Sequence, residues 1–238
     1  MDLVLQKEWS PDFFDDRTRW SEFGSDYLYF YCKWGIRQMN KELIIVQITK
    51  LADLNGLSFE DEVLNRAVEL AQFKVFPKGF LIKNIGDQAD SVAIVLDGLV
   101  RGYYIDGDGN DITRGFVIEG GMCMDEGIMG YNEYVCMWEV VEESTLMLFD
   151  VKEFKAMIMS NENLKTIWIG LLENGLRYKI YRENGFLIEN ATERYLHFKK
   201  QFPELYSKLP QKHIATYLGI TPESLSRIKR AMREETVE

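Results

Sequence analysis

Two histidines, three cysteines and five prolines in 238 residues leave little material for metal, disulfide or nucleophile chemistry. The cysteines, Cys32, Cys123 and Cys136, are odd in number and irregularly spaced. That excludes a disulfide framework and fits a reducing compartment. They are also one thiolate short of a four-cysteine iron–sulfur cluster. Both histidines, His197 and His213, lie near the C-terminus, so a haem held elsewhere would need a cysteine as axial ligand. A redox pair of Cys123 and Cys136 stands beside the plainer reading of two small buried apolar residues. GxSxG, HExxH, CxxC and the GxxxxGK[ST] phosphate loop are all missing, so no enzyme and no cofactor is expected. No window approaches the ~18 consecutive apolar residues of a membrane span. The stretch Met1–Glu8 lacks a basic start leading into an apolar core. The expectation is therefore a cytoplasmic protein without signal peptide or membrane partner.

Positive charge is scarce as well. The chain has 28 basic and 38 acidic residues, a net charge of −10. The deficit is uneven. Residues 191–238 hold nine basic and six acidic side chains, leaving 19 basic and 32 acidic in 1–190. A mildly basic tail on an acidic body points to a nucleic-acid partner for the tail, with modest, salt-sensitive non-specific affinity.

The tail contains the most informative stretch, residues 211–230. Apolar Ile214, Leu218, Ile220, Leu225 and Ile228 are spaced for two short crossed helices. Gly219 suits the left-handed residue that ends the first helix. Thr221 can cap the second and Pro222 fits its first turn. Glu223, Ser224, Ser226, Arg227 and Arg230 are then left outward, a face able to bond base edges and phosphates. This is a helix-turn-helix candidate with 222–232 as recognition helix. An ordinary αα-hairpin has the same spacing.

Residues 1–38 show no period. They carry Trp9, Trp20, Trp34 and the run Tyr27–Tyr31. Two readings stand: an N-terminal extension, or sequence upstream of a true start at Met39. Residues 41–72 read as helical, with a Ser58 cap and Phe59, Val63, Ala67 and Leu70 on one face. From Phe73 the period becomes two. Turn signals follow at Pro77-Lys78-Gly79, Gly86-Asp87, Asp97-Gly98 and Asp106–Asp111, the pattern of a barrel or sandwich. Strands are expected over 112–118, 134–142 and 145–149. The Asp106–Asp111 turn lacks the ~12-residue loop and terminal Glu of an EF-hand, so no metal is expected. Helical spacing returns over 151–159 and 163–188. The second of these carries an apolar stripe, either a dimer seam or a cover for the strands.

The run Lys78-Gly79 … Gly86-Asp87-Gln88-Ala89-Asp90 … Val95–Arg101 resembles the core of the cyclic-nucleotide-binding β-roll. The order β-roll, long helix, helix-turn-helix resembles the CRP/FNR family of bacterial transcriptional regulators. Residues 191–227 are similar to that family's DNA-binding domain. The resemblance implies an α+β fold: a double-stranded, jelly-roll-like β-roll over 39–150, a connecting and dimerisation helix over 151–189, and a helix-turn-helix domain over 190–238. Residues 1–38 stay unassigned. It implies a homodimer bound to a palindromic double-stranded DNA operator, a small-molecule effector, and RNA polymerase as a further partner. The base-reading pair falls on Glu223 and Arg227, with Ser226 beside them, and Lys212 is placed for a phosphate. Pro222 replaces an arginine that other relatives use, so the half-site is expected to differ. The family's wing would have to fit into Ala231–Glu238, too few residues for a normal hairpin.

The family's phosphate-binding cassette falls on 119–136. That stretch has no Lys or Arg but has Asp125, Glu126 and Glu133. A buried phosphate there would go unpaired, at a cost of several kcal/mol. An effector other than a cyclic nucleotide is expected, with Arg101, Arg114, Asp125, Glu126, Glu133 and Tyr134 as pocket candidates. Two alternatives remain: a ligand-binding module that acts through protein contacts, and a cyclic-nucleotide-responsive regulator with atypical phosphate contacts.

Overall fold

The computed structural model describes residues 45–46, 48–49 and 58–235, so the readings of 1–38 lie outside the described residues. Residues 45–46 and 48–49 are helical. Helix α1, Asp61–Leu70, begins three residues after the expected Ser58 cap. Glu60 is its N-cap, with extended backbone and no side-chain bond. The buried face is correspondingly centred on Leu64 and Val68, while Phe59, Val63, Ala67 and Leu70 are half-buried.

Six strands follow: β1 (Gln72–Phe76), β2 (Leu81–Lys83), β3 (Ser91–Ile105), β4 (Asp111–Val117), β5 (Met122–Cys123) and β6 (Met137–Asp150). The sheet order is β1-β6-β3-β4, with β2 along β6 and β5 along β3. Every pairing is antiparallel. Two expected breaks are not breaks. Asp97-Gly98 lies inside β3, and the gap expected at 143–144 lies inside β6. The register instead slips three times between Val95 and Val100. Gly98 has φ +96, and a Cβ there would come within 2.3 Å of the Glu143 carbonyl oxygen. The Leu99 amide donates to Ser144 Oγ at 2.9 Å. Bulges of this kind bend paired strands together and roll the sheet without ending either strand. The apolar residues enclosed include Val95, Val100, Met124, Trp138 and Leu146.

Helix α2, Val151–Ser160, is capped by the Asp150 carboxylate, which accepts from the amides of Lys152 and Glu153. The long helix α3 spans Glu162–Ile188. Its stripe divides. Leu164 is buried and Ile167 and Trp168 are half-buried, but Ile169, Leu171, Leu172, Leu176 and Ile180 are exposed. The stripe is therefore buried within the chain only over its first two turns, where it packs beside α2. Helix α4, Ala191–Gln201, opens with a capping box between Asn190 and Glu193. Helices α5 (Pro203–Lys208), α6 (Gln211–Tyr217) and α7 (Pro222–Glu235) complete the described chain. Their core of Phe198, Ile214, Leu218 and Leu225 is continuous with Leu99 and Val141 of the sheet.

Candidate nucleic-acid interface and effector site

Helices α6 and α7 meet at Gly219, which has φ +69. A Cβ there would sit 2.8 Å from the Phe186 ring of α3, so glycine is needed for conformation and for space. Thr221 caps α7 by accepting from the Ser224 amide at 3.2 Å. Ile214, Leu218 and Leu225 are buried, and Ile220 and Ile228 are partly so. This burial fixes the helix orientation and leaves Thr221, Glu223, Ser226, Arg227 and Arg230 exposed, with Ser224 half-buried. The Glu223 carboxyl is held below its usual range by its own backbone amide, by the Thr221 hydroxyl and by Arg227 one turn on. Glu223 and Arg227 thus share one face, as their i, i+4 spacing requires.

The remaining candidate of this group lies elsewhere. Lys212 Nζ stands 3.1 Å from Asp111 Oδ1. Asp111 is buried, and its other oxygen accepts from Arg101 Nη2 at 3.0 Å. Arg101 itself is fully buried. It donates Nε to Glu139 at 2.7 Å and Nη1 to Thr113 at 3.1 Å. It thus faces α6 and has no part in the effector cluster, contrary to the expectation that it lines a pocket with Arg114.

Arg114, on the neighbouring strand, reaches into the stretch that lacks basic residues of its own. It grips Asp125 with two bonds of 3.0 Å and lies 3.5 Å from Glu126. Its charge rests 5.2 Å over the Trp138 ring. Burial alone would lower the Arg114 pKa, but Asp125 with its hydrogen bonds, then Cys136 and Glu126, raise it above the ordinary value. Glu126, 2% exposed, accepts from Trp138 Nε1 at 3.1 Å and from Cys136 Sγ at 3.0 Å. The expectation of no counter-charge is corrected in one respect: Arg114 supplies one. Two carboxylates already hold it, so the group carries a net negative charge.

The turn bearing these carboxylates is tightly placed. Met124 is buried at φ 57, a left-handed conformation that non-glycine residues seldom adopt. A Cβ at Gly127 would meet the Ala89 carbonyl oxygen at 2.0 Å. Two other pocket candidates are not brought into the cluster. Glu133 is exposed and bridges Gln88. Tyr134 is buried, with its hydroxyl donated to the Ser91 carbonyl at 2.6 Å. Burial, followed by the bond to Glu126, pushes the Cys136 thiol up to about 12. A thiol so protonated at neutral pH is a weak nucleophile. In the folded protein Cys136 should resist iodoacetamide at pH 8 and react fully after denaturation, read by mass spectrometry. Rapid labelling of the native protein would revive the redox reading.

Sequence reasoning missed Asp111, Thr113, Thr216 and Arg182. Thr113 and Thr216 join hydroxyls at 2.7 Å. Arg182 donates to the carbonyls of Arg114 and Tyr217 and stacks on the Tyr217 ring. All of these contacts bridge distant segments, and none leaves a local pattern.

Residues 73–161 match the cyclic nucleotide-binding domain family. No protein of curated function matches the chain. Among solved structures, FixK2 of Bradyrhizobium japonicum is similar at TM-score 0.63 and 18% identity, over 70% of this chain and 86% of that one. The c-di-GMP-responsive global regulator CLP of Xanthomonas campestris gives TM-score 0.63 and 12% identity, over 74% and 93%. A protein of Eubacterium rectale assigned to the CRP/FNR family of transcriptional regulators gives 0.60 and 15%, over 74% and 85%. Among the described residues no helix is long and apolar enough to cross a membrane. Residues 73–161 thus form a domain of the cyclic nucleotide-binding type, in a chain that shares the fold of the CRP/FNR regulators.

Proposed function

We propose that the protein is a sequence-specific DNA-binding transcriptional regulator that acts as a homodimer. The observation carrying this reading is the exposed polar face of α7, with Glu223, Ser226, Arg227 and Arg230 outward on a helix whose cap and apolar side are fixed. In a major groove, Arg227 would grip guanine O6 and N7, and Glu223 would accept from cytosine N4. Ser224, Ser226 and Thr221 stand close enough in sequence to add hydroxyl contacts, and Arg230 lies one turn further along the face. The exposed apolar residues of α3 are spaced as a dimer seam: Ile169, Leu172 and Leu176 follow the a/d interval, and Ile180 lies one residue past the next position, on the flank of the same face. A two-fold dimer would set two recognition helices on a palindrome, one helical turn apart. Capture and sequencing of genomic fragments on the purified protein tests this reading. RNA polymerase is the partner such a regulator would act upon.

For the effector, we infer a molecule other than a cyclic nucleotide. What supports this is the occupation of Arg114 by Asp125 and Glu126. A cyclic phosphate would have to displace a two-bonded carboxylate and then remain beside Glu126, a buried acid. Calorimetry with cAMP and with cGMP should show no saturable heat. A micromolar dissociation constant for either would favour the alternative, a nucleotide-responsive regulator with atypical phosphate contacts.

A further inference from the structure

The proposed reading gives Lys212 a phosphate, yet in the structure its ammonium faces a carboxylate on the sheet. We propose that the contact between α6 and the β3–β4–β6 face is an autoinhibitory latch, in which Asp111 withholds Lys212 from DNA. This inference rests on the DNA-binding reading for its consequence, but the contact itself is testable without DNA.

Several observations bear on it together. Asp111 is 7% exposed and is locked from behind by Arg101, which is wholly buried. The carboxylate therefore has a fixed direction, and its free oxygen points at Lys212. Arg101 faces two acids, Asp111 and Glu139. The Lys212 charge balances this group, and His213 of the same helix stands 3.9 Å from Glu139, so α6 completes an electrostatic set that the sheet leaves one positive charge short. Three further bonds tie the same helix to the same strand: Thr113 to Thr216 directly, and Arg182 of α3 to the carbonyls of both Arg114 and Tyr217. An apolar contact backs them, since Phe116 of β4 stacks on Tyr217 with ring centroids 5.5 Å apart.

The consequence for DNA follows from charge. A lysine already paired with a carboxylate contributes little counterion release when a phosphate arrives, and it brings an acid to the backbone with it. Strand β4 also carries Arg114, whose side chain holds Asp125. The latch at positions 111 and 113 and the effector cluster at position 114 therefore share one strand, which is where a ligand could act on the latch.

The test uses full-length Asp111→Asn, which keeps the side-chain shape and removes the charge, and Thr216→Val, which removes the hydroxyl bond and leaves every charge in place. In hydrogen exchange, the amides of 211–217 should exchange faster in both variants than in the wild type. For a random-sequence duplex, Asp111→Asn should bind about three- to ten-fold tighter at low salt, with a log–log salt slope steeper by about one. Adding Lys212→Met to Asp111→Asn should abolish that gain. A folded Asp111→Asn with wild-type exchange over 211–217 would overturn the latch. Should that variant fail to fold, wild-type exchange in Thr216→Val would overturn it equally. Faster exchange with unchanged duplex affinity would overturn the inhibition. Faster exchange in a protein that binds no duplex in any form would support the contact and overturn the DNA reading instead.

Discussion

Alanine at Arg227 is expected to weaken operator binding by about 1–3 kcal/mol and to relax selectivity at one base pair of each half-site. The side chain is exposed on the first turns of α7, and Glu223, one turn earlier, draws it to the same face. Nothing in the helix core depends on it, because Leu225 and Ile228 turn the other way into the apolar cluster. Stability should therefore stay near wild type while recognition falls. The measurement is affinity for the best duplex and for variants changed at each half-site position. An equal loss on every variant would make Arg227 a phosphate contact and remove α7 from base reading.

Glutamate at both Leu172 and Leu176 is expected to convert the protein to monomers, seen by light scattering at micromolar concentration. Their side chains are 39% and 59% exposed in the single chain, so charge there should not disturb the protomer. Between two copies it would bury like charges on facing helices. Loss of the second half-site should reduce operator affinity by about 10²–10⁴-fold, the usual gain from linking two weak contacts. A variant that stays dimeric would place the seam elsewhere. In that event the exposed apolar run from Ile169 to Ile180 would need another cover.

The helix-turn-helix was legible in the sequence because its determinants are local. Gly219 needs a left-handed backbone, Thr221 a capping distance of three residues, and Ile214 with Leu218, like Leu225 with Ile228, a helical interval. The β-roll was legible as alternating strands, but not its two long members. The Asp97-Gly98 pair is a turn signal in most settings. Here it is a bulge, because β6 lies alongside and Ser144 takes up the Leu99 amide. The α1 start was misplaced for a smaller reason: the Ser58 signal lies upstream of an extended Glu60. The site divided in the same way. Glu223 and Arg227 share a face through helix periodicity, whereas the separation of Arg101 from Arg114 depends on which way each leaves the paired strands. Asp111 sits in a run of Asp and Gly that reads as a turn, and nothing near it announces Arg101 or Lys212.

The central claim is that α7 reads a DNA sequence as part of a two-fold dimer. Sequencing of genomic fragments retained by the purified full-length protein tests it most directly. The predicted result is one enriched motif, palindromic, with half-site centres about 10–10.5 base pairs apart, and loss of that motif when the same capture is made with Arg227→Ala. Retained fragments with no motif above the input, or a motif unchanged by Arg227→Ala, would contradict the account.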